Sequence, residues 1–155
     1  MTVDEAVQAF NEHLQRQKLK LTRQRSLITE VFFDPERRAE HPTVEELYLR
    51  VKERDERVGH ATIYRTLKLL VEAGLALPNR IDQDLTRYEP DVPGEHHDHM
   101  VCKRCGLIVE FEDEEIERLQ EQIAQRLGFK LLDHNMNLVG APVGPCVRTD
   151  CLEAR

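Results

Sequence analysis

The chain has 155 residues, 40% of them hydrophobic and 33% charged, with a formal net charge of −7. That length allows one domain or two small ones. It holds no apolar run long enough to span a bilayer and no h-region of a secretory signal, so a soluble, cytoplasmic protein is expected. Residues 1–90 carry 15 Lys/Arg against 16 Asp/Glu, whereas residues 91–155 carry 7 against 13. Within the near-neutral first part, Arg16, Lys18, Lys20, Arg23 and Arg25 form a basic cluster. An acidic chain with one basic patch can still bind nucleic acid, selectively rather than promiscuously.

In chain order, Ala6, Val7, Phe10 and Leu14 stand at helical spacing and predict a helix over 4–17, with acidic Asp4 and Glu5 in its first turn. A second helix begins near Thr22, runs through Ile28, Val31 and Phe32, and ends before Pro35. Thr43-x-x-Glu46 is a capping box opening a third, with Leu47, Leu49 and Val51 as its apolar residues. A fourth covers 61–73, with Ile63, Leu67, Leu70 and Val71 on one side, and stops at Gly74. Residues 75–78 and 85–88 read as two strands of a small hairpin. Helices followed by such a hairpin describe a winged helix-turn-helix over 1–90, whose last helix would enter DNA; an ordinary helical bundle is the competing reading.

Asp91-Val-Pro-Gly-Glu95 reads as a linker, a hinge of residues 91–95. Beyond it, residues 96–101 and 107–111 read as strands and 113–127 as a helix with Ile116, Leu119 and Ile123 inward. The helix is ended by Gly128, and 130–138 form a further strand. The expected fold is therefore α+β: an N-terminal winged helix-turn-helix domain and a small C-terminal α/β domain over 96–155.

Residues 96–105, His-His-Asp-His-Met-Val-Cys-Lys-Arg-Cys, pack metal-ligating side chains in a way that no apolar core requires. Side chains on a strand alternate between faces, so His96 and Asp98 would face one way, His97 and His99 the other. His96 and Asp98 need further ligands, for which Glu117 on the helix and His134 near the last strand are candidates. Two imidazoles and two carboxylates suit Zn²⁺, Fe²⁺ or Mn²⁺. Glu117 taken alone is simply part of an acidic helix start. On the other face, His97 and His99 have Glu89 before the linker and Glu110 on the returning strand as companions. If His41, ahead of Pro42, joined them, that site would draw ligands from both domains. His13 and His60 have no such company and are read as surface residues. Cys102-x₂-Cys105 and Cys146-x₄-Cys151 are two knuckles that together complete a tetrahedral thiolate zinc site. Two disulfides are the competing reading, disfavoured without a secretory signal.

The chain resembles the ferric uptake regulator family of metal-dependent transcription factors. The stretches carrying the resemblance are Leu19-Lys-Leu-Thr-Arg-Gln-Arg25, Gly59-His-Ala-Thr-Ile-Tyr-Arg-Thr-Leu67, His96-His-Asp-His-Met-Val-Cys-Lys-Arg-Cys-Gly106, Ile108-Val-Glu-Phe111 and the Cys146/Cys151 pair. The block from His96 to Cys105 is highly specific; the helix-turn-helix stretch alone is not. The resemblance implies that the C-terminal domain dimerises and that the homodimer binds a double-stranded, palindromic DNA operator. It implies Zn²⁺ at Cys102, Cys105, Cys146 and Cys151. It further implies a regulatory metal, Fe²⁺ by expectation, at His41, Glu89, His97, His99 and Glu110, and an additional site at His96, Asp98, Glu117 and His134. Tyr64 and Arg65 match major-groove positions and Lys20 a minor-groove contact.

Similar peroxide sensors carry aspartates where Glu89 and Glu110 stand, and zinc sensors add a cysteine to the regulatory site, where none is left over here. Both details favour iron, while Mn²⁺, Zn²⁺ or Ni²⁺ as the signal stay open. No catalytic residue and no small-molecule substrate are expected. A zinc metallohydrolase and a zinc-stapled interaction module without DNA binding are the rival classes.

Overall fold

The computed structural model describes residues 1–37, 40–80, 86–92, 97–132 and 134–144. It divides into two compact units, Met1–Gly94 and Glu95–Arg155.

The first unit opens with four helices, α1 (Val3–Arg16), α2 (Arg23–Phe32), α3 (Val44–Arg54) and α4 (His60–Glu72). Threonine caps three of them. Thr2 and Thr43 form capping boxes with Glu5 and Glu46, and Thr22 accepts from the Arg25 N–H. Helix α4 ends as a glycine allows: Gly74 takes φ +68. The Leu75 N–H then reaches back to the Leu70 carbonyl and the Gly74 N–H to that of Val71. Phe10 and Leu14 of α1, Ile28 and Phe32 of α2, Leu47 and Val51 of α3, and Ile63, Leu67 and Leu70 of α4 close into one core.

Two expectations fail among the helices of this unit. Leu49 is 53% exposed, because two residues along a helix is a rotation of about 200° from Leu47. His13 is not on the surface; it lies on the buried face of α1 together with Phe10 and Leu14.

The chain then forms an antiparallel hairpin of β1 (Ala76–Arg80) and β2 (Thr86–Pro90), in which Ala76 pairs with Pro90 and Leu77 with Glu89. Both strands extend further than their composition suggested, since Asn79, Arg80 and Glu89 are ladder residues. Leu75, expected in the first strand, belongs to the cap of α4. Helices α2 to α4 and this hairpin constitute the winged helix-turn-helix.

In the second unit, β3 (Asp98–Cys102) is the central strand of a sheet ordered β4-β3-β5. It runs antiparallel to β4 (Ile108–Phe111) and parallel to β5 (Asn137–Gly140). Between β4 and β5 comes α5 (Glu114–Arg126), capped by Asp113, whose carboxylate accepts from the Glu115 and Ile116 N–H groups. Of the strand predicted over 130–138, only Asn137 and Leu138 fall in β5, which runs on to Gly140, because the register with β3 starts at Asn137. The expected inward face of α5 is also not covered: Leu119 is 56% and Ile123 38% exposed, and Ile116 is half-buried. No helix among the described residues is long and apolar enough to cross a membrane.

Candidate metal centres

In the first unit, strand β2 brings Glu89 to His41. The Glu89 Oε2 lies 3.2 Å from His41 Nε2, and both residues are buried. His41 adopts φ +41, a left-handed conformation costing a residue other than glycine about 1–3 kcal/mol. The turn is held from β2, where the Tyr88 N–H donates to the Pro42 carbonyl at 2.9 Å. Next to it, Arg87 Nη1 donates to Glu46 Oε2 at 2.8 Å. Burial pushes the Glu46 carboxyl up, but the Thr43 N–H and the Arg87 guanidinium prevail and hold it below its ordinary range.

In the second unit, the two faces of β3 carry different sets. His97 and His99 lie together, ring centroids 5.1 Å apart and perpendicular. Glu110 pairs with His99 across the β3–β4 ladder, and its Oε1 is 3.6 Å from His97 Nε2. Asp98, 1% exposed, belongs to the other set. There, His134 Nε2 stands 3.1 Å from Glu117 Oε1 and 3.8 Å from Asp98 Oδ1.

Asp98, Glu117 and His134 each offer one ligand atom, and these atoms all lie within 4.8 Å of one another. Ligands about 2.1 Å from a tetrahedral ion are separated by about 3.4 Å. The His–carboxylate distances in both units are compatible with that value and, at 3.1 and 3.2 Å, equally with a hydrogen bond; it is the donor chemistry, nitrogen with carboxylate oxygen, that fits a divalent ion. His96, expected with Asp98, lies outside the described residues.

Cys102 ends β3 and Cys105 sits on the turn that follows. The Cys102 N–H donates to the Leu107 carbonyl and the Gly106 N–H to that of Cys102, both at 2.8 Å, with Gly106 at φ +70. Both cysteines are half-buried, while Cys146 and Cys151 lie outside the described residues.

Tyr64, Arg65 and Lys68 form the exposed side of α4. Lys68 Nζ lies over the Tyr64 ring, 5.8 Å from its centroid, and Arg65 Nε donates to the Ala61 carbonyl at 3.1 Å. Lys20 is exposed, and its carbonyl accepts from Arg25 Nη1 at 2.7 Å. His60, at the start of α4, is exposed as its lack of companions suggested; its Nε2 is 3.1 Å from Glu45 Oε2. Sequence reasoning passed over Arg87 and Glu46 as neighbours of His41. The capping box announced Glu46 as a helix cap only, and nothing in the composition marked Arg87.

A winged helix exposing Tyr64, Arg65 and Lys68, in a chain that gathers histidines and carboxylates into ligand clusters, defines a metal-binding, DNA-binding transcription regulator. Residues 16–139 match the model of the ferric uptake regulator family, and the chain belongs to that family. It is 42% identical to the ferric uptake regulation protein of Rhizobium leguminosarum over 81% of this chain and 85% of that one. With the protein of the same description from Campylobacter jejuni it shares 41% identity over 92% and 89%.

Among solved structures, the Helicobacter pylori ferric uptake regulator, described as having three functional metal binding sites, superposes with a TM-score of 0.82 at 26% identity, covering 92% and 93%. The Vibrio cholerae regulator, whose structure is described as showing rearrangement of the DNA-binding domains, gives 0.74 at 35%, covering 85% and 98%. A zinc-bound manganese uptake regulator gives 0.67 at 38%, covering 87% and 99%. Regulators of this family bind metals and act on DNA operators as dimers, through an N-terminal DNA-binding and a C-terminal dimerisation domain. They are not enzymes, so the metallohydrolase reading falls.

Proposed function

We propose that the chain is a homodimeric repressor with Fe²⁺ as co-repressor, acting on iron homeostasis. The observation that carries this reading is a histidine–glutamate pair in each unit, His41 with Glu89 and His97 with Glu110, at 3.2 and 3.6 Å. With His99 they form the proposed regulatory site, one half supplied by each domain. Nitrogen and carboxylate donors without thiolate suit Fe²⁺, and the relatives at 41–42% identity are ferric uptake regulation proteins. His96, Asp98, Glu117 and His134 form the proposed additional site. Cys102, Cys105, Cys146 and Cys151 hold structural Zn²⁺.

Metal in the regulatory site favours the DNA-competent arrangement only by its differential affinity for the two arrangements. Moving that equilibrium from 1:99 to 99:1 requires about 5.5 kcal/mol. The ions supply charge and fixed coordination; the protein's own task is to hold two half-sites that meet correctly in only one arrangement. Arg65 then reads base edges, Tyr64 accompanies it in the major groove, and Lys20 adds a salt-sensitive contact. The two-fold symmetry of the dimer calls for a palindromic operator.

A manganese-responsive regulator is the second reading, supported by the likeness to a manganese uptake regulator at 38% identity. Anaerobic titrations of one palindromic duplex with separately buffered Fe²⁺, Mn²⁺, Zn²⁺ and Ni²⁺ test the iron reading. Iron is expected to drive binding at lower free concentration than manganese, following the order of divalent affinities. Binding driven by Mn²⁺ but not by Fe²⁺ would remove iron as the signal. A duplex bound equally with and without metal would remove the co-repressor mechanism.

A further inference from the structure

We propose that Arg87 is a positioning residue for His41, fixing the left-handed peptide that aims the imidazole at Glu89 and thereby setting the metal affinity of that half-site. The proposal rests on the reading of His41 and Glu89 as ligands. Arg87 and Glu89 are two residues apart on β2, so their side chains leave the same face of the strand. They take hold of opposite ends of one residue. Glu89 meets the His41 ring at 3.2 Å, and Arg87 Nη1 donates to the His41 carbonyl at 2.9 Å.

The guanidinium also grips the helix that follows. Nη1 donates to Glu46 Oε2 at 2.8 Å and Nη2 to Oε1 at 3.4 Å, while the same Oε2 accepts from the Thr43 N–H at 2.8 Å. One buried side chain thus ties the His41–Thr43 turn to the wing strand and to the N-terminus of α3. The turn needs such a hold. Its histidine sits at φ +41 without being glycine, and it precedes a proline, which favours extended backbone at that position. A planar fork serves a carbonyl and a carboxylate together, which a lysine ammonium cannot reproduce.

The test compares the zinc-loaded full chain with its Arg87→Met, Arg87→Lys and His41→Ala variants. Mn²⁺ affinity is read by electron paramagnetic resonance, and the Co²⁺ d–d absorption serves as a second probe. The component of Mn²⁺ binding lost in His41→Ala defines the site. Arg87→Met is expected to weaken that component about 10- to 100-fold, as loss of a ligand's outer partner does, and to shift the Co²⁺ band, with Arg87→Lys between. A lowered thermal midpoint with both metal readouts unchanged would make Arg87 a fold staple only and overturn the proposal, leaving the ligand reading intact. Should Arg87→Met not fold, Arg87→Lys carries the comparison, and parental affinity there overturns it. If His41→Ala itself keeps every Mn²⁺ component, the ligand reading fails and the proposal with it.

Discussion

At the scale of single residues, the chemistry concentrates on His41, Glu89 and the strand carrying His99. His99 is 2% exposed and stacks edge-on with His97, so its proposed role as ligand is separable from surface effects. His99→Ala should weaken Mn²⁺ binding by more than the roughly 10- to 100-fold loss expected for an outer partner, and abolish metal-dependent operator binding while circular dichroism stays unchanged. Metal-dependent operator binding retained in that variant would sink the hinge mechanism.

Glu46 offers a pH test at the same scale. Its folded-state value is depressed, so its contribution to stability is complete above its ordinary value of 4.5. The contribution disappears as pH falls through the lower folded-state value. Solvent screens the pair with Arg87, the Glu46 side chain being 40% exposed, and the effect is correspondingly modest. Urea midpoints followed downward from pH 5 should fall less steeply for Glu46→Gln than for the parent; parallel curves would remove Glu46 from the acid limb. The grouping of residues 97–99 into two sets was legible because residue type and strand period sufficed. The place of His41 was not, since it depends on a left-handed turn that only contacts distant in sequence stabilise.

At the scale of elements, local rules performed well where the chain itself supplied both partners. The Thr43–Glu46 capping box starts α3 where its spacing said it would, and Gly74 and Gly128 both stop helices with positive φ. The rules failed where burial was assumed from apolar content. Helix α5 and its C-cap carry Leu119, Ile123 and Leu127 at helical spacing, yet all are exposed. An amphipathic stripe says that a face seeks cover, not what covers it. Because these regulators act as dimers, Leu119→Glu is expected to shift the protein from dimer to monomer in light scattering. A dimer of parental stability would place the subunit contact elsewhere.

At the scale of the whole molecule, two units carry two tasks, and a thiolate zinc would hold the second together. Cys102→Ser is expected to lose zinc and, with it, folding free energy of the C-terminal unit, because a structural ion is bound only by the folded chain. Zinc content, thermal midpoint and oligomeric state should fall together; a stable dimer lacking zinc would show that the ion staples nothing. The amino-acid sequence by itself determined the element order, the helix caps and the alternation of histidine and aspartate along β3, since each follows from spacing within a few residues. Tertiary structure alone decided that Glu89 meets His41, that Glu117 and His134 meet Asp98, and that Arg87 grips a carbonyl 46 residues away. Those contacts join segments far apart in the chain, and only the packing of helices and strands brings their side chains within bonding distance.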